Sequence, residues 1–565
     1  MGLMWFFVNL NVATLFSVLV SAVEAQSSTS SQCIPSPIAI AIQNVTVANQ
    51  PNGAIVRGLN IGVGTPPQKI AFMPGYFDSK FLAASRFANF WGRFFNNSFA
   101  YTNNDACIVV GSQYSGNGCI TTRGGAYEAS QSTSNEPGNT SNFSPDSPRP
   151  SPSPVVDTFA LNNNTSLSNY TFGVSQDDLG YQLYNPQASL GLDRNSTFLR
   201  ALKDAGKIGS RSWSFFWGLT APNNSLDGHI IVGGYDKEKI TGNAANYTGT
   251  IDYAASSACL SGMVVDITNI TILDLNGTVN SLLSNSNTIP ACLRPDWPGA
   301  LNLPWDPLFN KFAELTNYNS ALLDLANNTV RAFGSNYYDM RYLSTDIPFG
   351  GDLEITLEGG LAIRIPNDQL VVPDQYLDQN GIWQDNSTGP DLLINVETGS
   401  YQLTSLNRYF FSAAYLAVNQ DAGQFTLWKA HTTPNQNLVG LDEKNQVASA
   451  FCSPTPSSIA SSSTLAPSPQ PNGLSGGSIA GIVVGVIGGV ALVSGTGFLF
   501  LRYQKKNKIK KQQHTRQVAD PSREDKSTTQ TLTEGYNHPQ HYEMPVGEPP
   551  NIAQFELDAS PSANR

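Results

Sequence analysis

Short runs of alternating hydrophobic and polar residues recur along most of the chain, and this is the pattern of half-buried β-strands. Ala54–Val63, Val155–Leu161 and Tyr170–Val174 are examples, each bounded by Gly, Pro, Asn or Ser. Apolar residues at helical spacing are found in Ser196–Ala205 and Leu308–Leu315. Charged residues are few while aromatic residues, Gly and Pro are plentiful, and this composition favours an all-β extracellular domain over a helical or disordered one.

Two longer apolar runs lie towards the ends of the chain and predict its topology. The first falls within residues 1–25, which close on Val23-Glu24-Ala25 and are typical of a signal peptide. The second, 478–501, has no charged residue and is long enough for a transmembrane helix, and several Lys and Arg residues follow it directly. These features predict a single-pass type I protein of the plasma membrane or another secretory-pathway membrane, with its N-terminal domain extracellular or lumenal.

The segments on either side of the predicted transmembrane helix are polar and of low complexity. Residues 453–477 are rich in Ser, Thr, Pro and Gly and are interpreted as an extended stalk. Residues 502–565 are predicted to be a disordered cytoplasmic tail with a cytoplasmic partner. The basic start of this tail fits either contact with anionic lipid or a plain stop-transfer signal.

Charge and cysteine content narrow the class of protein. The formal net charge of −11 argues against nucleic acid as a partner. The six cysteines all precede the predicted transmembrane helix, which fits an oxidising compartment and up to three disulfides. Sequons for N-glycosylation are confined to the same side. The predicted acceptors are Asn44, Asn96, Asn139, Asn142, Asn163, Asn164, Asn169, Asn195, Asn223, Asn246, Asn269, Asn276, Asn327 and Asn386.

A hairpin with the sequence IGVGTPPQ begins at Ile61, and further motifs follow it in order. Ala188–Leu192 has the sequence ASLGL, Gly228–Asp236 has GHIIVGGYD, and Gln424–Trp428 has QFTLW. Together these segments resemble the pepsin-like (A1) aspartic peptidases over about Ile38 to Ala430. The resemblance rests on the order of many short motifs.

The resemblance implies a bilobal fold around a central cleft, with an N-terminal lobe at 38–210 and a C-terminal lobe at 211–451. It also favours a disulfide between Cys107 and Cys119, because these cysteines enclose a short Gly-rich loop where many family members have a small disulfide loop. The pairing of the other cysteines is left open.

The first catalytic aspartate of the family is missing from this chain. In A1 peptidases the strand after the hairpin ends in Asp-Thr/Ser-Gly, and an ungapped count from Gln68 places Gly75 at the aspartate position. The nearest acid is Asp78, which is followed by Ser79-Lys80 instead of Thr-Gly.

The second aspartate is missing as well. The segment IPACLRPDWP fits the second site, and the family's aspartate aligns with Arg294 or Pro295, depending on whether the count runs from the preceding strand or from the following Leu-Pro pair. Asp296 comes next. Trp297 and Pro298 follow it where the loop requires Thr or Ser and then Gly.

Other residues that suggest chemistry are given ordinary roles. Tyr127 lies near the place of the family's Tyr-Gly-x-Gly flap but lacks that pattern, so it is interpreted as a strand tyrosine. Asp157 begins Asp-Thr-Phe, which matches a structural D-T-V strand of the family. The five histidines have no Cys or acidic partner at metal-ligand spacing, so neither a metal nor a cofactor is predicted.

The chemistry of an aspartic peptidase requires two carboxylates that share one proton. Because the two positions hold Gly75 and either Arg294 or Pro295, no catalytic residue is expected. The chain is predicted to be a pseudoenzyme, a non-catalytic cell-surface glycoprotein whose cleft binds or senses an extracellular peptide or a wall or matrix polymer. Two alternatives stay open: a membrane-anchored endopeptidase that acts at acidic pH through a displaced Asp78/Asp296 dyad, and a structural wall or matrix component.

Overall fold

The structure is a computed structural model. It describes residues 33–47, 54–75, 98–102, 106–109, 112–139, 153–175, 187–241, 245–254, 259, 261–283, 288–318, 323–324, 329–330, 340–397, 403–448 and 450–452. The predicted signal peptide (1–25), stalk (453–477), transmembrane helix (478–501) and cytoplasmic tail (502–565) lie outside the described residues.

Strands account for most of the described chain. Those of its first half are β1 Ile38–Thr46, β2 Ile55–Val63, β3 Gln68–Gly75, β4 Phe99–Tyr101, β5 Ala106–Val109, β6 Ser112–Ser115, β7 Glu136–Pro137, β8 Ser153–Asn162, β9 Thr165–Ser175, β10 Ser189–Gly191, β11 Ser212–Ala221, β12 Asn224–Val232, β13 Gly234–Asp236 and β14 Asn246–Thr250. Those of its second half are β15 Val264–Leu273, β16 Val279–Ser281, β17 Ile289–Arg294, β18 Leu301–Pro304, β19 Leu323–Asp324, β20 Thr329–Val330, β21 Met340–Arg341, β22 Asp352–Leu357, β23 Ala362–Ile365, β24 Val371–Leu377, β25 Trp383–Leu392, β26 Ile394–Glu397, β27 Thr404–Asn407, β28 Ala414–Asn419, β29 Gln424–Lys429 and β30 Leu438–Gly440.

The helices are short. The α-helices are α1 Asn117–Thr122, α2 Thr197–Asp204 and α3 Asn310–Leu315. Single 3-10 turns lie at Ala129–Gln131, Lys237–Lys239, Asn367–Gln369 and Arg408–Ser412, and a π-type turn at Trp305–Phe309 leads into α3.

Six strands close into a barrel in the first half of the chain. They pair in the order β2, β3, β10, β4, β9 and β8, and β8 pairs back onto β2. Phe72, Phe159 and Phe172 are fully buried in its core, with ring centroids 5.7 Å apart for the first two and 5.0 Å apart for the last two. The closure leaves none of these six strands with an unpaired edge along its whole length, and the aromatic core fixes the barrel.

A central run of strands continues from the barrel in the order β2, β1, β12, β11, β28, β29 and β14. It therefore combines strands from both predicted lobes. Ile38, Ile40 and Ile42 of β1 are buried on one face of this sheet, and the alternate residues lie on the other. The described residues, from Cys33 to Cys452, belong to one compact unit, and the predicted boundary between residues 210 and 211 stays a prediction.

A second large sheet is built from the later part of the chain. Its order is β23, β22, β15, β17, β27, β18 and β26, with β16 paired to β15. In this sheet β17 runs parallel to β27, and β18 runs parallel to β26. Ile272, Leu301 and Ile355 are among its fully buried core residues.

The predicted hairpin is present and is held by a later loop. Gly64 turns between β2 and β3 with φ of 92°, and a Cβ at this position would lie 2.8 Å from the Ser132 hydroxyl. The Thr65 amide donates to that hydroxyl over 2.9 Å, and the Thr133 amide donates to the Thr65 carbonyl over 2.8 Å. A glycine is therefore required where the loop closes over the turn.

The two helices predicted from periodicity are confirmed. Ser196 caps α2 because its hydroxyl accepts a hydrogen bond from the Leu199 amide over 3.0 Å. The apolar face of α2 buries Phe198, Leu199 and Leu202. The second predicted helix corresponds to the π-type turn and α3, where Phe312 and Ala313 are buried.

The predicted fold class, an all-β bilobal peptidase fold with a C-terminal transmembrane helix, is wrong in that form. The described chain is mostly β but not all-β, because α1, α2, α3 and the turns at Trp305–Phe309 and Arg408–Ser412 bury apolar residues of their own. Among the described residues, no helix has the length and apolarity that crossing a bilayer requires. The all-β prediction omitted helices, although helical periodicity in the sequence had indicated them at 196–205 and 308–315.

A disulfide joins the two ends of the described chain. Cys33 bonds to Cys452 with Cα atoms 4.8 Å apart, and the Cys452 amide donates to the Ile34 carbonyl over 2.9 Å. Because the bridge closes a loop of more than 400 residues, it strongly restricts the unfolded chain. The ends of the domain are thereby held together.

Replacing Ser196 by alanine tests the cap of α2. The Ser196 hydroxyl accepts from Leu199 and donates to the Gly191 carbonyl over 2.6 Å, so its loss removes two buried hydrogen bonds. We expect the free energy of unfolding to fall by about 1–2 kcal/mol in chemical denaturation. Ser168→Ala, at an exposed position of β9, is the control and should change stability by less than about 0.5 kcal/mol.

Candidate functional site

Strand β3 ends beside β10, and this parallel pair contains Gly75, the residue at the first aspartate position that the family resemblance implies. The pairing aligns Met73 with Ser189, Pro74 with Leu190 and Gly75 with Gly191. Gly75 is buried, and its carbonyl accepts a hydrogen bond from the Leu192 amide over 2.9 Å. The last residue of β3 at this junction is therefore a glycine, which has no side chain.

Strand β17 ends beside β27 in the same parallel manner. The pairing aligns Leu293 with Leu406 and Arg294 with Asn407. The Asn407 side-chain amide donates to the Asn302 side-chain oxygen over 2.8 Å, and the Asn407 backbone amide donates to the Ala300 carbonyl over 2.9 Å. These bonds fix β18 and β27 around the end of β17.

Both junctions are parallel strand pairs, and their registers align Gly75 with Gly191 and Arg294 with Asn407. Pro295 lies one residue beyond Arg294. The alignment of the family's second aspartate with Arg294 or with Pro295 stays a prediction. Neither junction ends in a carboxylate.

Asp296 lies in the tight turn that follows β17, and it is almost completely buried, with 1% of its surface exposed. Burial raises the pKa of its carboxyl to about 6, although the positive charges of Arg294 and Arg408 oppose this increase. Arg408 also donates to the Asp296 backbone carbonyl over 2.6 Å. Asp78, the other member of the predicted displaced dyad, lies outside the described residues.

Arginine and tryptophan side chains surround this turn. The Arg294 guanidinium lies over the Trp297 ring, 4.0 Å from its centroid. Trp217 of β11 is buried and has the guanidinium groups of Arg57 and Arg408 5.4 Å and 5.2 Å from its ring. Such cation–π contacts stabilise positive charge next to the aromatic rings.

The cluster around Trp217 was not predicted from the sequence. Arg57 donates to the Trp217 carbonyl over 2.9 Å although the two residues are 160 positions apart. No local motif marks this relation, because β2, β11 and the turn after β27 approach one another only in the folded chain. A buried tryptophan flanked by two arginines is visible only in three dimensions.

Tyr127 is a core residue. It is fully buried, and its hydroxyl donates to the Asp157 carboxylate over 2.7 Å. The ring also contacts Phe172 edge to face, with centroids 5.3 Å apart. Burial, and then the hydrogen bond and charge of Asp157, raise the pKa of Tyr127 far above its ordinary value. The prediction that Tyr127 lies within a strand is wrong, because it precedes a 3-10 turn.

Asp157 lies in β8, as the D-T-V interpretation predicted, and has a structural role. Ser134 donates to its carboxylate over 2.6 Å, and the Thr158 amide donates over 2.8 Å. Burial alone raises the pKa of Asp157, but hydrogen bonds from three hydroxyls and one backbone amide outweigh it and lower that pKa. The carboxylate therefore anchors the loop that covers the β2–β3 hairpin.

Two disulfides have both of their cysteine side chains among the described residues, and one of these bridges lies beside the second junction. Cys259 bonds to Cys292 of β17, two residues before Arg294, with Cα atoms 5.3 Å apart. Cys119 is also disulfide-bonded. For Cys107 the structure describes the backbone and not the side chain, so the Cys107–Cys119 pairing stays a prediction.

Every described sequon asparagine has solvent access. Asn195, Asn269 and Asn386 are half-buried, and the others are exposed, namely Asn44, Asn139, Asn163, Asn164, Asn169, Asn223, Asn246 and Asn276. Asn96, Asn142 and Asn327 lie outside the described residues. This distribution is what glycosylation requires, since the glycan must project into solvent.

The two described histidines, His229 and His431, lie in different surroundings. His229 of β12 is buried, and this burial together with the nearby charge of Lys239 lowers its pKa to about 3. His431 is exposed and hydrogen-bonds to the Glu238 carbonyl. Within the described ranges, no group of three or more His, Cys, Asp or Glu residues is placed to hold a metal.

Comparison with known proteins does not place the chain in a family. No protein-family model matches the sequence, and no curated protein is significantly similar to it. The described chain is mostly β and contains a closed six-stranded barrel.

Removing the Tyr127 hydroxyl tests the anchor at Asp157. Tyr127→Phe should lower the free energy of unfolding at pH 7 by about 1.5–3 kcal/mol, because a buried hydrogen bond to a charged group is lost. Since the folded-state pKa of Asp157 is below its unfolded value of 3.8, its contribution is present above pH 3.8 and is lost as pH falls further. Chemical denaturation at pH 7 and below pH 3 measures both effects, and an equal deficit at the two pH values would contradict the role of the carboxylate.

Replacing Asp296 by asparagine tests the raised pKa of this carboxyl. Because its folded-state pKa is about 6 and its unfolded value 3.8, the folded state binds the proton more tightly, so stability falls as pH rises from about 4 to 6. This difference corresponds to at most about 3 kcal/mol, and Asp296→Asn should remove that pH dependence. Chemical denaturation at pH 4 and pH 7.5 measures this change in the free energy of unfolding. The control is Asp204→Asn, at an exposed aspartate of α2, which should retain the pH dependence.

Proposed function

We propose that this chain is a non-catalytic, aspartic-peptidase-like glycoprotein that binds an extracellular peptide or a wall or matrix polymer. One observation carries the proposal: the two equivalent parallel junctions end in Gly75 and Arg294. The resemblance to A1 peptidases assigns the catalytic aspartates to these junctions. A glycine and an arginine cannot form the pair of carboxylates that shares one proton.

The environment of Arg294 supports loss of the peptidase mechanism. The mechanism needs one carboxylate as a base and one protonated carboxyl that polarises the scissile carbonyl. Arg294 places a permanent positive charge at its junction, and Gly75 offers no titratable group at the other. A water molecule held between them would have no general base from either strand end. Binding without turnover is the function that this arrangement favours.

Covalent features support a site in the secretory pathway. The Cys33–Cys452 and Cys259–Cys292 bridges are expected in an oxidising compartment, and the described sequon asparagines have solvent access. We therefore place the described domain on the extracellular or lumenal side. A sensor or adhesion role is consistent with a glycosylated binding domain there.

An acid endopeptidase is the second candidate, and the state of Asp296 favours it. A buried carboxyl with a pKa near 6 is the kind of group that acts as a general acid. It would need a second carboxylate at hydrogen-bonding distance, and Asp78 is the predicted partner. The positive charges of Arg294 and Arg408 act against this candidate, because they stabilise the ionised form of Asp296.

Proteolysis at acidic pH separates the two candidates. We expect purified full-length protein to release no peptides from unfolded protein substrate between pH 3 and pH 6, with or without pepstatin. The measurement is mass spectrometry of released peptides, with pepsin as the positive control and circular dichroism as the check that the protein is folded. Pepstatin-sensitive cleavage that disappears in both Asp78→Ala and Asp296→Ala would overturn the proposal and establish the displaced dyad.

A further inference from the structure

A groove of about 770 Å³ crosses the outer face of β1, β2 and β12, on the side of the sheet opposite the buried isoleucines of β1. Ala39 and Ala41 form part of its lining, and their small side chains leave space that larger residues would fill. The β8–β9 turn, including Asn163, and residues Pro434 and Gln436 complete it. Its volume is in the range of sites that bind small ligands.

The lining of the groove is polar and rich in amides. Gln43, Asn60, Ser225, Asp227 and Gln436 supply amide, hydroxyl and carboxylate groups. Among the residues that the structure describes, no hydrogen bond engages the side-chain amides of Gln43, Asn60 and Gln436. Each such amide can donate and accept, and this matches the hydroxyl groups of a sugar, which also do both.

His229 adds a buried polar group to this lining. Its side chain is only 5% exposed, and its Nε2 has no hydrogen-bond partner within the described part of the chain. The nearest carboxylate oxygen, from Asp236, is 3.9 Å away, beyond hydrogen-bonding distance. A buried polar atom without a partner is costly, so a ligand hydroxyl within reach would stabilise this position.

The charges around the groove argue against an anionic occupant. Lys239 is 2% exposed, and its ammonium group donates to the backbone carbonyls of Thr433 and Asn435. The ammonium group is therefore buried and solvated by backbone carbonyls within the protein, whereas Asp227 adds an exposed negative charge. A neutral polyhydroxyl ligand fits this balance better than a phosphate or an acidic peptide.

An attachment point for such a ligand lies in the lining itself. Asn163 is an exposed sequon asparagine in the turn between β8 and β9, and it is one of the residues that form the groove. We propose that the N-linked glycan of Asn163 lies in this groove, where the amide side chains and His229 bind its sugars. The groove is then an internal glycan-binding site, which shields the outer face of β1 from solvent and from processing enzymes.

Overlapping sequons allow the glycan to be identified. Asn163-Asn164-Thr165 and Asn164-Thr165-Ser166 share residues, so Thr165→Ala removes only the Asn163 sequon and Ser166→Ala removes only the Asn164 sequon. The full-length protein is produced in cells that make only high-mannose glycans. Release of each glycan by an endoglycosidase is followed by glycopeptide mass spectrometry.

We expect the Asn163 glycan of the native protein to be released at least tenfold more slowly than the glycans of Asn44 and Asn169, and at the same rate after denaturation. The slowly released glycan should be absent from the Thr165→Ala variant and present in the Ser166→Ala variant. Ala41→Leu, which fills the groove, should accelerate release to the rate of the exposed sites. Ser168→Leu, an exposed substitution on β9 outside the groove, should leave the slow rate unchanged.

Two results would overturn the proposal. If the glycans of Asn163 and of the other sites are released from the native protein at equal rates, the groove does not hold the Asn163 glycan. The same conclusion follows if Asn163 carries no glycan while the neighbouring sequons are occupied. The inference rests on the proposed passage of the protein through the secretory pathway, and the experiment tests the two proposals separately. Absence of glycans from every sequon would contradict passage through the pathway. Rapid glycan release at Asn163, with the other sequons occupied, would contradict only the glycan-binding groove.

Discussion

The parallel pairing of strand ends is the interaction on which the candidate site depends. β3 can lie beside β10, and β17 beside β27, only because long connections separate each pair in sequence, since parallel strands cannot be joined by a tight turn. The first pair belongs to the barrel and the second pair to the second large sheet. The register therefore holds the last residue of β3 and of β17 in a defined position, and these residues are the buried Gly75 and the half-buried Arg294.

The electrostatics around the second junction follow from that placement. Arg294 at the strand end and Arg408 after β27 surround Asp296, whose burial favours the protonated form while both cations favour the ionised form. Burial prevails and raises the pKa of Asp296 to about 6. At the corresponding end of β3, Gly75 has no side chain that could couple to this group. A shared proton requires two nearby acids, and the strand ends do not supply them.

Asp157 illustrates a different use of a buried carboxylate. It accepts hydrogen bonds from Tyr127 and Ser134 and so ties the loop over the β2–β3 hairpin to β8. These bonds favour its ionised form, which is the opposite of the situation at Asp296. The pKa values of these two buried aspartates are thus shifted in opposite directions. Hydrogen-bond donors lower the pKa of Asp157, whereas desolvation raises the pKa of Asp296.

The sequence by itself determined the local structure. Alternation predicted the strand pair β8 and β9, periodicity predicted α2 and α3, and the Gly-Thr-Pro-Pro turn predicted the β2–β3 hairpin, because each depends on residues close together in the chain. It also predicted Gly75 at the first aspartate position of the family that the chain resembles. Only the tertiary structure brought Arg57 and Arg408 to Trp217 and formed the groove beside Asn163. These relations join residues far apart in the chain, and strand register, which no local pattern encodes, sets the distances between them.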